Sequence, residues 1–510
     1  MYEILSKSMK NPILKGTLIL TITGLLTRFF GFYNRIFLSN LIGAKELGIY
    51  QLVFPVYMII FSFTTLGNEL ALTRITSEYV GRNENKSAQT FFKICLFYNI
   101  VLGMCSATVL YFFADEISLK ILNTDSCGNC LKVICLGIPF MAAKGAIHGY
   151  FLGLERSDVH GISDFIEQIA KIGGVYLLAT FIAVKNSHHA SFAIIGIVIG
   201  EIISFIYSAI MLLINNKCKQ NIYGQSIKTT TAFSIFLKES MPLTANRFAI
   251  TLLQGIEAVL IPSMLLAYYN DSSISLSVYG IFTGMAFPFI MFPATITNSL
   301  SVMLMPAVSS ASSGLKNDYL SKLCERSIRF CLLIGLFFGV TFYIFGNSIG
   351  TLIFNNKEAG IFLYRLSFLC PLIYLATTQA SALNGLGLAT HNLILTILST
   401  AIRLSFILTT IPKIGMKGYV VGLFVSYLFL TYASLNKLKK NVIFELKMLR
   451  DIIVPFAFFL ITGVVTYIFY DILTAHLNNM LRLPILLASL LLYGTVCFVC
   501  FGIRLVKHPC

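Results

Sequence analysis

Arg28 and Arg35 stand seven residues apart in an otherwise apolar stretch. On a helix that spacing nearly superposes them, two turns apart on one face. No acid in the stretch offsets them, and Gly31 between them leaves room for a neighbour or a ligand. Guanidinium stays charged and grips phosphate with a two-pronged fork, so the pair suits an anionic group. Arg247 opens a later apolar run whose face continues through Gln254 and Glu257. Lys171 and Arg403 are basic residues at matching places in two related halves of the chain. These five side chains are the expected substrate contacts.

A charge at a bilayer centre costs at least about 2.5–3.5 kcal/mol, so it must face protein or water, find a partner, or snorkel to an interface. Lys15 lies at the end of its run and is read as snorkelling. Lys144 could pair with an acid on a neighbouring helix. Asp164 and Glu167 fall near the start of their run, where exposure at the interface competes with a role. Glu167 and Lys171 are four apart and could neutralise each other. Glu69, Glu201 and Glu257 are read as coupling or charge-balancing groups.

Nothing in the sequence points to catalysis, a metal or a cofactor. His148, His160, His188, His189 and His391 show no metal-ligand spacing such as His-Glu-x-x-His, and no nucleotide-binding motif occurs. Cys127 and Cys130 form a close pair in an expected outward loop. Two cysteines do not close a zinc site, which leaves a disulfide or two thiols. The expectation is a protein that is not an enzyme.

Positioning these groups requires long apolar elements, and the composition supplies them. Of 510 residues, 56% are hydrophobic and 12% charged. Apolar runs of about 20 residues, long enough to cross a hydrocarbon core of roughly 30 Å, recur from 13–39 to 483–503. The expected fold is all-α and integral to the membrane, with about fourteen transmembrane helices. No polar stretch is long enough for a catalytic domain outside the membrane, which would need on the order of 100 residues. The net charge of +16 concentrates in the loops and tails on the side that holds both termini. That asymmetry predicts cytoplasmic termini and makes the basicity a topology signal, with no nucleic-acid fold to use it.

The chain also repeats itself. A shift of 232 residues places Gly48-Ile49-Tyr50 on Gly280-Ile281-Phe282, Pro139 on Pro371, Gly153-Leu154 on Gly385-Leu386, and Lys171 on Arg403. Phe54-Pro55 and Phe287-Pro288 match at a shift of 233. The pattern predicts a parallel repeat: an N-terminal lobe over 1–228, a C-terminal lobe over 229–440, and two added helices over 441–510. Transporters use such repeats as bundles rocking about a site near the midplane.

The first lobe opens with Thr27-Arg28-Phe29-Phe30-Gly31-Phe32-Tyr33-Asn34-Arg35 and continues to Leu41-Ile42-Gly43-Ala44-Lys45-Glu46-Leu47-Gly48-Ile49-Tyr50. Together with Pro242-Leu243-Thr244 through Ile261-Pro262, and Tyr279-Gly280-Ile281-Phe282 through Met305-Pro306, it resembles the stage V sporulation protein B family. That family is related to polysaccharide exporters, lipid II flippases and multidrug extruders. The resemblance implies a V-shaped, two-lobed alternating-access fold in the bacterial plasma membrane. It implies a flippase for a polyprenyl-pyrophosphate-linked saccharide, a peptidoglycan or polysaccharide precursor, with membrane lipids as surroundings and no cofactor. Cavity arginines in the first span matter in lipid II flippases, and Arg28 and Arg35 match them in kind and approximate spacing. Gly67-Asn68-Glu69 departs from the family's less polar pattern. The alternative is a proton- or sodium-coupled multidrug exporter of the same fold. It would favour carboxylates in the cavity, whereas the first span offers arginines.

Overall fold

A backbone placed in hydrocarbon must satisfy its own N–H and C=O groups, which a helix does within one segment. The computed structural model describes residues 12–182, 189–218, 227–313, 317–444, 446–475 and 479–507, and among these no strand occurs. Lys7, Lys10 and His188 lie outside the described residues. The chain divides into two compact units, Met1–Ser263 and Met264–Cys510.

The first unit contains α1 (Pro12–Phe61), a π-helical turn (Ser62–Leu66), α2 (Gly67–Gly81), α3 (Asn85–Glu116) and α4 (Cys127–Ile134). It continues through α5 (Ile138–Gly153), α6 (Ser157–Ile182), α7 (His189–Cys218) and most of α8 (Thr229–Tyr269). Within α1 the helix breaks at Gly43, whose φ of 76° and ψ of 175° belong to a region only glycine enters without strain. The break separates the arginine-bearing segment from the segment that ends at the π-helical turn. Polar links fasten the core: Asn68 donates to Asn99 Oδ1 at 2.8 Å, and Asn99 donates to the Ala142 carbonyl at 3.1 Å. These bonds join α2, α3 and α5 and satisfy amides that are buried from solvent. Ala71, Phe91, Ile147, Phe151 and Phe236 fill the apolar core beside them.

The second unit holds α9 (Ser272–Gly280), a π-helical turn (Ile281–Ala286), α10 (Phe287–Met291), α11 (Ala294–Ser313), α12 (Asn317–Ile353) and α13 (Lys357–Leu366). Then follow α14 (Cys370–Gly385), α15 (Ala389–Ile414), α16 (Met416–Asn441), α17 (Val454–Ala475) and α18 (Asn479–Lys507). The last two pack on α12: the ring of Phe337 stacks on Tyr493 at 5.0 Å and meets Phe459 edge-on at 5.7 Å, and Arg329 reaches Asp451, in the π-helical turn Leu449–Ile453 before α17, at 3.2 Å.

Among the described residues, eleven helices are long and apolar enough to cross a membrane, or twelve if the bent pair Cys127–Ile134 and Ile138–Gly153 makes one span. This is fewer than the fourteen expected, in part because two expected spans run together. The stretch Thr23–Gly81 runs on as one apolar helical segment through the Gly43 break.

The repeat is visible in the elements themselves. Shifting α5 by 232 residues reproduces the bounds of α14, and the same shift turns α6 into α15. Each of α5 and α14 has proline in its first turn and ends at glycine followed by leucine. A Cβ on Gly103 would lie 3.3 Å from the Cα of Pro139, and Gly335 is pressed against Pro371 in the same way.

Candidate functional site

The densest set of buried charge in the first unit grows from two helices with polar stripes. On α6, His160, Asp164, Glu167 and Lys171 follow one another at spacings of four, three and four, which places them along one face. On α5, Lys144 and His148 are four apart and share a face. Close packing brings these stripes to their partners. A Cβ on Gly149 would sit 2.7 Å from the Glu69 carbonyl oxygen, so only glycine lets α5 approach α2 this closely. Thr73 of α2 bonds across the contact to the Gly149 carbonyl at 3.1 Å. A Cβ on Gly200 would lie 3.0 Å from the Glu167 carbonyl, which sets Glu201 of α7 beside α6.

The result is an ionic knot. Lys144 lies 2.6 Å from Glu167 and 2.7 Å from Glu201. Tyr57, from α1, donates its hydroxyl to the other oxygen of Glu201 at 2.5 Å. Lys144, Tyr57 and Glu201 are all buried, so the ammonium is held by charge-assisted contacts away from bulk solvent. A cavity of about 410 Å³ adjoins the knot, lined by Thr27, Tyr57, Glu69, Lys144, His148, His160, Asp164, Glu167, Gln168, Lys171 and Glu201 among others. Its walls carry the carboxylates of Glu69, Asp164, Glu167 and Glu201 against the ammonium groups of Lys144 and Lys171. With histidine neutral the lining is therefore net acidic.

The sequence-predicted residues fall into two sets. Glu69, Glu201 and Lys171 line this cavity. Glu167 pairs with Lys144, so the expected neutralisation of Lys171 by Glu167 is replaced by a pairing between helices; Lys171 makes no ion pair among the described residues. Arg28 and Arg35 are exposed on α1, and no carboxylate among the described residues lies within ion-pair distance of either. They flank the side of α1 on which Thr27 lines the cavity and Gly31 meets Gln168 of α6, 3.8 Å from where a Cβ would stand. Arg247 is exposed on α8, while Glu257, further along it, is buried. Arg403 of α15 is half-buried, with its guanidinium 5.8 Å from the ring centre of Tyr427 and 3.3 Å from Thr400 Oγ1. Cys127 and Cys130 are both buried free thiols, so the disulfide alternative is not formed here. Tyr57 escaped the sequence reading, and His148 and His160 were set aside there because no linear metal-ligand spacing joins them. The polar stripe on α6 is a signal that could have found His160.

The polysaccharide biosynthesis protein family profile matches residues 13–312. The chain belongs to that family. Stage V sporulation protein B of Bacillus subtilis (strain 168) is 25% identical over 466 residues, covering 90% of this chain and 89% of the relative. Lipid II flippase MurJ of the same organism is 22% identical over 455 residues, 82% of this chain and 81% of its own. Among solved structures, lipid II flippase MurJ in an inward closed conformation matches with a TM-score of 0.69 at 15% identity, over 95% of this chain and 99% of that one. An inward-facing multidrug resistance MATE family transporter matches with a TM-score of 0.62 at 14% identity, over 83% and 98%. At these identities the structural likeness establishes the fold: an all-α, multi-pass membrane protein built like the MurJ and MATE transporters.

Proposed function

We propose that this chain is a flippase that carries a polyprenyl-pyrophosphate-linked saccharide, a peptidoglycan or polysaccharide precursor, across the bacterial plasma membrane by alternating access. The observation that carries the reading is the pair Arg28 and Arg35, exposed on one helix face with no carboxylate of the described residues within ion-pair distance, in a chain with the fold of a lipid II flippase. Two adjacent guanidinium groups suit a pyrophosphate, whose oxygens they bind bidentately. The saccharide meets polar groups and the polyprenyl tail stays in lipid. Arg247, Arg403 and Lys171 are assigned supporting contacts, and Glu69, Glu201 and Glu257 balance or couple charge. Glu201 suits a balancing role because it already holds Lys144. Residues 1–228 and 229–440 serve as the two lobes and 441–510 as the added pair. Translocation needs no covalent chemistry, so no catalytic residue is assigned.

The test is reconstitution into vesicles with a fluorescent lipid-linked saccharide. Arg28→Ala and Arg35→Ala should each slow translocation at least tenfold at equal protein content. Normal rates in both variants would remove the arginines from the site.

One observation favours the second reading, a cation-coupled exporter of cationic compounds. The cavity in the first unit is lined by more carboxylates than ammonium groups. Export of a cationic dye from the same vesicles, driven by an ion gradient and without lipid translocation, would establish it.

A further inference from the structure

Below the ionic knot, three potential ligands converge that no linear motif connects. Glu69 comes from α2, His148 from α5 and His160 from α6, and their ligating atoms all lie within 4.8 Å of one another. The Nδ1 atoms of the two histidines are 2.8 Å apart, so in the metal-free protein one proton is shared between two lone pairs. The surroundings decide which nitrogen bears it. Ser208 Oγ donates to the Ser204 carbonyl at 2.9 Å, which leaves it an acceptor for His148 Nε2–H at 3.3 Å. His148 Nδ1 is then unprotonated and its lone pair points at His160. A hydrogen bond that fixes the tautomer from the far side of the ring is the outer-shell support that metal-binding histidines use. His148 and Ser208 are buried, so this support is shielded from water.

We propose that Glu69, His148 and His160 form a binding site for a divalent transition-metal ion of the Zn²⁺ class. Two imidazoles and a carboxylate are a ligand set such ions accept, with a fourth position left open. Asp164 Oδ1, 3.9 Å from His160 Nδ1, stands close enough to complete it after a small movement. Nitrogens bound at about 2.0–2.1 Å to a tetrahedral ion stand about 3.3 Å apart. The imidazoles therefore open by about half an ångström, and the proton between them moves, by exchange with solvent, to His160 Nε2, so that both rings bind as neutral imidazoles. The adjoining cavity is net acidic, which draws a cation inward. The repeat makes a separate point. The positions of His148, His160 and Asp164, carried 232 residues onward, hold Ala380, Asn392 and Thr396. The second half keeps the helices and drops the ligands, so the cluster is no by-product of the repeated scaffold. An ion bound here fastens α2, α5 and α6 to one another.

The site is independent of what the protein transports, and its test involves no transport. Full-length protein carrying a tag without histidine is stripped with chelator in detergent, then titrated with Co²⁺ and, in competition, Zn²⁺. The expected result is one saturable Co²⁺ per chain, with visible absorption of a low-coordinate nitrogen and oxygen site, displaced by Zn²⁺. His148→Ala and His160→Gln should each weaken Co²⁺ binding at least tenfold, while His391→Ala leaves it unchanged. Glu69→Gln, which keeps the side chain's size, should weaken it as well. Size-exclusion profiles and helical circular dichroism qualify each variant as folded. Absence of saturable binding to the wild type, or unchanged affinity in folded His160→Gln, overturns the proposal.

Discussion

Lys144 is buried with two carboxylates and a tyrosine around it, and its energetics follow from that crowding. Deleting one partner of a buried ionic cluster leaves the others charged without compensation, at a cost of about 3–5 kcal/mol. Lys144→Met should therefore lower the thermal denaturation midpoint of the detergent-solubilised protein markedly. Adding Glu167→Gln and Glu201→Gln to Lys144→Met should recover much of the loss, because a neutral, hydrogen-bonded cluster no longer strands a charge. An unchanged midpoint in Lys144→Met would show that water reaches the pair and that burial is not what sets its worth. That Lys144 needed a partner was readable from one lysine in an apolar run. Which acids would supply it was not readable, since Glu167 and Glu201 come from different helices. The nearer candidate by sequence, a Glu167–Lys171 pair along one helix, lost to contacts across helices.

At the level of elements, the close approach of α5 to α2 determines whether the cavity exists. Gly149 faces the backbone of Glu69, with no flexible side chain to yield. Gly149→Leu must push the two helices apart, at about 1–3 kcal/mol by the usual cost of overpacking. It should also separate Glu69 from His148. The expected outcome is a lower denaturation midpoint together with weaker Co²⁺ binding, measured on the same preparation. A variant that is less stable but binds Co²⁺ normally would show that the helices repack without moving the ligands. The helices themselves were well foreshadowed: Pro139 and Gly153 mark the ends of α5, and their counterparts Pro371 and Gly385 mark those of α14. The break at Gly43 falls in the gap between the expected spans 13–39 and 47–72; that the helix resumes at once, so that Thr23–Gly81 runs on as one stretch, was not foreshadowed. Gly43 supplies that break through a backbone conformation the sequence only permits.

For the whole molecule, the loop charges make a prediction about orientation. Because the short loops on the side of the termini carry most of the loop Lys and Arg, we propose that both ends lie in the cytoplasm. A green fluorescent protein fused to the C-terminus should fluoresce, and alkaline phosphatase fused there should be inactive. The reverse pattern would invert the proposed topology. The sequence by itself determined the class of this protein: a long apolar helical chain with a repeated half, a basic bias to one side, and arginines that need a reason to be in an apolar run. Hydropathy, repeat spacing and loop charge are properties of consecutive residues, so they can be read without coordinates. The tertiary structure alone decided which buried charges meet. Lys144, Glu167, Glu201 and Tyr57 join from four helices, and Glu69, His148 and His160 from three. Ion pairing and metal ligation act over a few ångströms, and only helix packing sets distances of that size between residues far apart in the chain.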